Sequence, residues 1–174
     1  MVVILLGASA SGKTYVENYL KQERGFTSLV SATTRLRRQG ETNGEVYNFV
    51  SPEEFAKLDL ANKIDKGPYL QYGVEKKTIQ NLSGKNVVYS CINAEPVKKL
   101  IEEISSNEEI KIVLFNIPEN IRKKHILKRG NISSKELKLR LHWDDWDYIQ
   151  KNLNIAAEIT NQKESLNAIK ELLK

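Results

Sequence analysis

Residues 2–14 read VVILLGASASGKT, an apolar run that passes directly into a glycine-rich loop. The run predicts a buried strand, and the spacing G-x-x-x-x-G-K-T is typical of a loop whose backbone N–H groups surround nucleotide phosphates. In such a loop Lys13 reaches the β- and γ-phosphates, and the Thr14 hydroxyl binds Mg²⁺. A helix is predicted to begin at about Gly12, with its positive end directed at the same anion. The residues predicted to contact ATP here are Gly7, Ala8, Ser9, Ala10, Ser11, Gly12, Lys13 and Thr14.

Length and composition describe one soluble domain. The chain has 174 residues, of which 40% are hydrophobic and 28% are charged, enough for one core with inserted subregions. Its net charge of +5, from 27 basic and 22 acidic residues, suits phosphorylated small molecules, nucleic acid or solubility alone. Because the sequence lacks a basic stripe with interleaved aromatic residues, we expect small-molecule substrates rather than nucleic acid.

Targeting and redox signals favour the cytoplasm. The first apolar run is shorter than the core of a signal peptide and has no basic leader, and no apolar stretch approaches the length of a membrane span. The single cysteine, Cys91, has apolar neighbours that predict a buried strand thiol rather than a nucleophile. We therefore expect a cytoplasmic protein without a membrane partner.

Strand-like and helical stretches alternate along the chain, which predicts an α/β fold. Residues 97–104 have helical spacing and lie between two strand-like runs, so parallel pairing with a right-handed crossover is expected. We predict a P-loop three-layer fold with a parallel central sheet. The strand-like segments are 26–30, 46–50, 86–92, 109–117 and 155–160.

Capping signals mark two further helices. Ser51, with Glu54 three residues later, predicts a capping box and a short helix. Ser133 and Glu136 predict another capping box, whose helix is expected to continue past Trp143 and Trp146.

Two stretches have weaker patterns. Residues 62–73 are expected to be irregular, with a turn at Gly67-Pro68. The helix predicted over residues 118–129 has a run of cations typical of a solvated face. That run consists of Arg122, Lys123, Lys124, His125, Lys128 and Arg129.

A loop after the second strand carries three arginines in four residues, namely Arg35, Arg37 and Arg38. The planar guanidinium suits bidentate phosphate binding, so one interpretation is a second anion site that faces the first. The other interpretation is a solvated basic loop. Charge alone does not decide between them.

Longer motifs give the chain a family resemblance. Residues 31–41 read SATTRLRRQGE, which matches S-x-T-T-R-x-x-R-x-G-E, and residues 47–51 continue as YNFVS. Together with the loop at residues 7–14, these segments resemble guanylate kinase nearly end to end. The resemblance implies an ATP-dependent nucleoside monophosphate kinase that has a small NMP-binding insertion and a helical lid.

The resemblance also implies roles for individual residues. Ser31 and Asn93 fall on positions that contact the acceptor base. Lys13 is expected to be catalytic together with Arg129 and Arg140, which fall on the lid arginines that clamp the transferring phosphoryl group. The positions that match contacts to the acceptor phosphate are Arg35, Arg38, Tyr47 and Tyr72.

Asn161 has two interpretations. It falls where the family has an asparagine near the ATP base. It is also suited to cap the last helix, paired with Glu164.

The departures from the family concern base recognition. Guanine presents N–H donors, so its site needs carboxylate or hydroxyl acceptors. The family has Asp at the position of Asn93 and a hydroxyl residue at that of Val74, and Asp65 or Glu75 are candidates for the missing acceptor. In the lid, His125 stands where the family has an arginine.

The residues and the resemblance together favour a kinase that acts on GMP or dGMP, as a monomer or homodimer. Two alternatives remain, namely a kinase of the same fold with a different nucleotide or sugar phosphate as acceptor, and a non-catalytic binding module. The implied single domain, 1–174, consists of a core, an NMP-binding region and a lid. The core comprises 1–30, 76–118 and 150–174, the NMP-binding region 31–75 and the lid 119–149.

Overall fold

The computed structural model describes residues 1–37, 40–65, 67–68, 70–104, 106–128, 130, 132–143 and 145–174. The strands are β1 (Val2–Gly7), β2 (Thr27–Ser28), β3 (Ser31–Thr33), β4 (Tyr47–Phe49), β5 (Leu60–Asp65), β6 (Gln71–Glu75), β7 (Val87–Cys91), β8 (Ile110–Phe115) and β9 (Ile155–Ile159). The helices are α1 (Lys13–Glu23), α2 (Pro52–Phe55), α3 (Lys76–Gln80), α4 (Ala94–Glu103), α5 (Glu119–Leu127), α6 (Ser134–Leu141), α7 (Trp146–Asn152) and α8 (Ser165–Leu172). A 3-10 helix, Gln162–Glu164, precedes α8.

The central sheet has the strand order β2-β7-β1-β8-β9, and all of these pairs are parallel. One face packs on α4 through Val97 and Leu100, and the other packs on α1 through Val16 and Leu20. Strand β1 is buried along its whole length because it lies in the middle of the sheet with helices on both sides. The prediction of a parallel central sheet between helical layers is confirmed, and Cys91 is buried as expected.

A second sheet, of order β4-β3-β6-β5, is formed by residues between 31 and 75. The expectation that residues 62–73 are irregular is wrong, because β5 and β6 pair there as an antiparallel hairpin. Asn62 explains why a polar strand is stable at this place. Its amide nitrogen donates to the Pro96 carbonyl at 3.1 Å, and its amide oxygen accepts the Val74 N–H at 2.8 Å. These bonds satisfy a buried amide and join the second sheet to α4.

The capping box at Ser51 and Glu54 is confirmed, with both reciprocal hydrogen bonds formed. At the other predicted box, the Ser133 hydroxyl accepts the Glu136 N–H at 3.2 Å. The helix that begins there does not continue past the tryptophans, because α6 ends at Leu141 and α7 begins at Trp146.

Tertiary contacts account for this interruption. The indole Nε1 of Trp143 donates to the Ile92 carbonyl at 2.8 Å, and the Asp145 carboxylate accepts the Ala94 N–H at 2.9 Å. The latter bond satisfies a donor at the beginning of α4. The segment between α6 and α7 therefore binds the carboxyl end of β7 rather than extending a helix.

The cationic face of α5 is not uniformly solvated, so that prediction is wrong for Arg122. This residue is only 6% exposed and donates from Nε to the Ile117 carbonyl at 3.1 Å and from Nη2 to the Leu141 carbonyl at 3.1 Å. Burial lowers its pKa. Arg122 thereby connects α5 to the carboxyl end of α6.

Among the helices in the described part of the chain, none combines the length and apolar character needed to cross a membrane.

Candidate active site

The phosphate loop connects β1 to α1 and curves sharply. Ala10 has φ 62° and Gly12 has φ 102°, both in the left-handed region. This conformation strongly favours glycine at residue 12. At Gly7 an added Cβ would lie 2.7 Å from the Phe115 carbonyl oxygen, so only glycine allows β1 to approach β8 this closely. The loop thus has the tight backbone that a phosphate cradle requires.

Lys13 lies across this loop. Its Nζ donates to the Gly7 carbonyl at 2.7 Å and to the Ala8 carbonyl at 2.9 Å, and lies 3.4 Å from the Ser11 hydroxyl. The cation is therefore held at the concave side of the loop, where phosphate oxygens would replace carbonyl oxygens as its partners.

Residues of α5 and of the 3-10 helix contact the other side of the loop. The Ala10 carbonyl accepts Gln162 Nε2 at 3.2 Å and lies 3.4 Å from His125 Nδ1. His125 is thus the α5 side chain that contacts the phosphate loop, at the position where the sequence departs from the expected arginine. The contact of His125 with the loop could not be predicted from the sequence, because the helical period does not show which element a charged position faces.

A second group of polar and aromatic residues surrounds Arg35. Its guanidinium lies 4.8 Å from the centre of the Tyr47 ring and 5.2 Å from that of Phe49, and the Tyr47 and Tyr72 rings are 5.9 Å apart. Two guanidinium nitrogens donate to the Glu41 carboxylate at 2.7 and 2.6 Å, and this pair raises the pKa of Arg35. A fork that binds one carboxylate has the geometry to bind a phosphate.

The tyrosine in this group is shielded from water. Burial and the nearby Tyr72 raise the pKa of Tyr47 to about 12, although Arg35 opposes the shift. The phenol is therefore neutral at physiological pH and can donate a hydrogen bond to an anion. The negative charge of Glu17 on α1 contributes in the same direction as burial.

The Tyr47→Phe variant tests this environment through the pH dependence of stability. The raised pKa means that folding disfavours the phenolate, so wild-type stability falls as pH rises from about 10 towards 12. Between pH 9 and 11 we expect wild type to lose about 1 kcal/mol more unfolding free energy than Tyr47→Phe, measured by urea denaturation. Tyr15→Phe, at an exposed tyrosine, is the matched control. Equal losses in wild type and Tyr47→Phe would contradict the assigned environment.

Positions expected near the acceptor base have diverse environments. Ser31 is buried in β3, and Asn93 is half-buried at the beginning of α4. Val74 is fully buried and packs in the core. The sequence did not identify Asp145, whose carboxylate adjoins Asn93 through its bond to Ala94, because the helical pattern placed it inside a continuous helix.

The two other candidate acceptors are engaged elsewhere. Asp65 lies 2.9 Å from Lys63 Nζ and accepts Gln71 Nε2 at 2.8 Å, and these partners lower its pKa to about 2. Glu75 lies 2.7 Å from Lys77 Nζ. Both carboxylates therefore form ion pairs within the second sheet and the helix that follows it.

The predicted lid and base residues are not all brought to the loop. Arg140 is paired with Glu136 at 2.5 Å, one turn earlier on α6. Asn161 caps the 3-10 helix, where its side-chain oxygen accepts the Lys163 N–H at 3.1 Å and its nitrogen donates to Glu164 at 3.0 Å. Asn161 is therefore a cap paired with Glu164, as predicted, but the helix that it caps is the 3-10 helix rather than α8. Arg38 and Arg129 lie outside the described residues.

The residues at the loop fit Mg²⁺ and ATP by their chemistry. Thr14 is exposed in the first turn of α1 and supplies a hydroxyl oxygen, the kind of ligand that Mg²⁺ prefers. Within the described ranges no three His, Cys, Asp or Glu side chains form a metal-binding group. An ion that keeps water ligands and phosphate oxygens needs few protein ligands, as expected for Mg²⁺ in a nucleotide site.

Comparison with known proteins identifies relatives along most of the chain. The family model described as guanylate kinase matches residues 1–142. A guanylate kinase from Lactobacillus johnsonii is 28% identical, and the alignment covers 97% of this chain and 88% of the relative. One from Clostridium acetobutylicum is 27% identical, over 87% of this chain and 74% of the relative.

Two solved structures share the fold. A guanylate kinase from Anaplasma phagocytophilum has a TM-score of 0.63 at 21% identity, over 99% of this chain and 84% of that one. A sugar kinase from Janibacter has a TM-score of 0.50 at 15% identity, over 97% of this chain and 94% of that one.

Proposed function

The chain belongs to the guanylate kinase family, and from that premise we propose that it transfers the γ-phosphoryl group of ATP to a nucleoside monophosphate, GMP or dGMP. The observation that carries the proposal is the presence of two anion-binding arrangements on one α/β core. One is the phosphate loop crossed by Lys13, and the other is the group formed by Arg35, Tyr47 and Tyr72. A donor phosphate and an acceptor phosphate require two such sites.

In this mechanism the loop holds the phosphates of ATP, with Lys13 at the β- and γ-phosphates and the backbone of residues 7–14 around them. Thr14 would hold Mg²⁺, which when bound neutralises charge on the phosphates. Arg35, Tyr47 and Tyr72 hold the acceptor phosphate, and we propose that Arg38 shares this role. When the acceptor phosphate binds, the Arg35 guanidinium either releases Glu41 or contacts Glu41 and the phosphate together.

No general base is needed for the transfer. An oxygen of the acceptor phosphate is already anionic and attacks the γ-phosphorus, a new P–O bond forms, and the bond to the β-phosphate oxygen breaks to release ADP. Catalysis therefore rests on positioning and charge neutralisation. We propose that Arg129 and Arg140 approach the transferring group when the lid closes, and that Ser31 and Asn93 contact the acceptor base.

The division of the chain follows from these roles. We propose that residues 31–75 bind the acceptor and that residues 119–149 act as the lid over the core of 1–30, 76–118 and 150–174. We also propose that Asn161, which caps the 3-10 helix, lies near the ATP base, and that the protein acts on small nucleotides as a monomer or homodimer.

A second candidate function, a kinase of the same fold with another acceptor, is favoured by one observation. Asp65 and Glu75, the carboxylates considered for guanine recognition, both form ion pairs with lysines. A base or sugar that needs fewer acceptor groups would suit such a site.

A coupled ADP-release assay with ATP and Mg²⁺ tests the proposal against GMP, dGMP, AMP, CMP, UMP, dTMP and ribose phosphates. We expect turnover with GMP and dGMP. Turnover confined to another acceptor would support the second candidate. ATP binding without turnover of any acceptor would instead indicate a non-catalytic binding module.

A further inference from the structure

Glu17 on α1 is a buried carboxylate for which the proposed mechanism has no use. It is 6% exposed and accepts hydrogen bonds from the Ser28 hydroxyl at 2.9 Å and the Ser90 hydroxyl at 2.6 Å. Within the described part of the chain it forms no ion pair, so two neutral hydroxyls stabilise its charge. Burying an ionised carboxylate costs free energy, and a functional role of the charge would account for that cost.

The location of Glu17 connects it to the phosphate loop. It follows Thr14 by three residues and Lys13 by four, so the three side chains lie on neighbouring positions of one helix face. Ser90, its partner, lies on β7 beside Leu5 of β1, two residues before the loop begins at Gly7.

Strand β7 has no carboxylate of its own for a Mg²⁺ site, and Glu17 is placed to supply one. In P-loop enzymes Mg²⁺ is held by the loop Ser or Thr together with an Asp that accompanies it on a separate motif. Strand β7, one of the two neighbours of β1, reads VVYSC and continues with Ile92 and Asn93, without a carboxylate. The Glu17 carboxylate, held against Ser90, brings a negative charge to this strand from α1 instead.

We propose that Glu17 is a positioning residue for Mg²⁺, which accepts hydrogen bonds from the water ligands of an ion bound at Thr14. This inference rests on the proposed function. Each carboxylate oxygen can accept more than one hydrogen bond, so the bonds from Ser28 and Ser90 leave capacity for water. Mg²⁺ retains several of its waters in nucleotide sites, and groups that orient metal ligands contribute about 10–100-fold to metal affinity.

The test measures metal binding rather than turnover. Mn²⁺ is titrated into the protein saturated with ADP, and free Mn²⁺ is followed by electron paramagnetic resonance. We expect Glu17→Gln, which keeps the shape of the side chain and removes its charge, to weaken Mn²⁺ binding about 10-fold or more. ADP affinity in EDTA and the melting temperature should stay near wild-type values. Glu23→Gln, at an exposed position of the same helix, is the matched control and should bind Mn²⁺ as wild type does.

A second variant distinguishes metal positioning from a structural role. Glu17→Leu removes the carboxylate and leaves an apolar side chain of similar size at this buried position, and the melting temperature shows whether the fold is kept. Adding Ser90→Asp to that variant returns a carboxylate to the end of β7. We expect Mn²⁺ affinity to fall in Glu17→Leu and to recover at least 5-fold in the double variant, which a purely structural role would not produce.

Two results would overturn the inference. One is Mn²⁺ affinity within twofold of wild type in both Glu17→Gln and Glu17→Leu, and the other is an equal loss of ADP affinity in EDTA. If wild type itself bound no Mn²⁺ with ADP, the proposed function would fail together with the inference. If wild type binds Mn²⁺ with ADP and both Glu17 variants bind it equally well, the inference fails and the proposed function stands.

Discussion

Lys13→Ala is expected to lower kcat by about 10³-fold with any acceptor that wild type uses, while the protein remains folded. The Lys13 ammonium lies across the phosphate loop, bonded to the carbonyls of Gly7 and Ala8. In the reaction this cation would face the β- and γ-phosphates, where negative charge moves as the γ-phosphoryl group is transferred. Alanine removes the ammonium and its bonds to the Gly7 and Ala8 carbonyls, and as a strong helix former it suits the first position of α1.

The measurement is kcat from ADP release at saturating ATP and acceptor, with the melting temperature recorded for each protein. Lys21→Ala, in the last turn of the same helix, is the matched control and should keep wild-type turnover. Near-normal turnover in Lys13→Ala would show that the loop is not the donor site. A large drop in melting temperature would show that Lys13 chiefly stabilises the loop.

Arg35→Lys is expected to raise the KM of the acceptor about 100-fold and to leave the KM of ATP nearly unchanged. The Arg35 guanidinium stacks near Tyr47 and Phe49 and donates two parallel bonds to Glu41. Lysine carries the same charge but presents a single ammonium, which neither stacks as a plane nor binds a phosphate through two parallel bonds. The substitution therefore removes the planar group that forms two parallel bonds and retains its positive charge.

Initial-rate kinetics with each substrate varied in turn measure both KM values. Arg37→Lys, on the exposed part of the same loop, is the control and should behave as wild type. An acceptor KM within twofold of wild type in Arg35→Lys would exclude Arg35 from the acceptor site. A parallel rise in the KM of ATP would indicate a general disturbance of the cleft.

Much of the fold follows from local patterns in the sequence. The apolar run before Gly7 and the glycine spacing after it fix a strand, a loop and a helix, because each depends on residues within one turn or one strand. The capping box at Ser51 is local for the same reason. Alternation of buried strands with helices then allows few arrangements other than a parallel sheet.

Contacts between distant residues were not visible in the sequence. The segment that forms β5 and β6 looks irregular in the sequence because it includes the polar residue Asn62. The partners of this amide, Tyr89, Pro96 and Val74, are brought to it by the folded chain. Likewise the helical period continues through Trp143, while bonds to Ile92 and Ala94 interrupt the helix.

The sequence by itself determined the phosphate loop, the parallel core and the family, because these depend on spacing along the chain. Only the tertiary structure decided which charged side chains meet at the site. It brought His125 to the Ala10 carbonyl and buried Glu17 against Ser90. The physical reason is that the helical or strand pattern of a sequence is the same whether a charged side chain faces water or a buried partner. The environment of that side chain depends on the elements that pack against it.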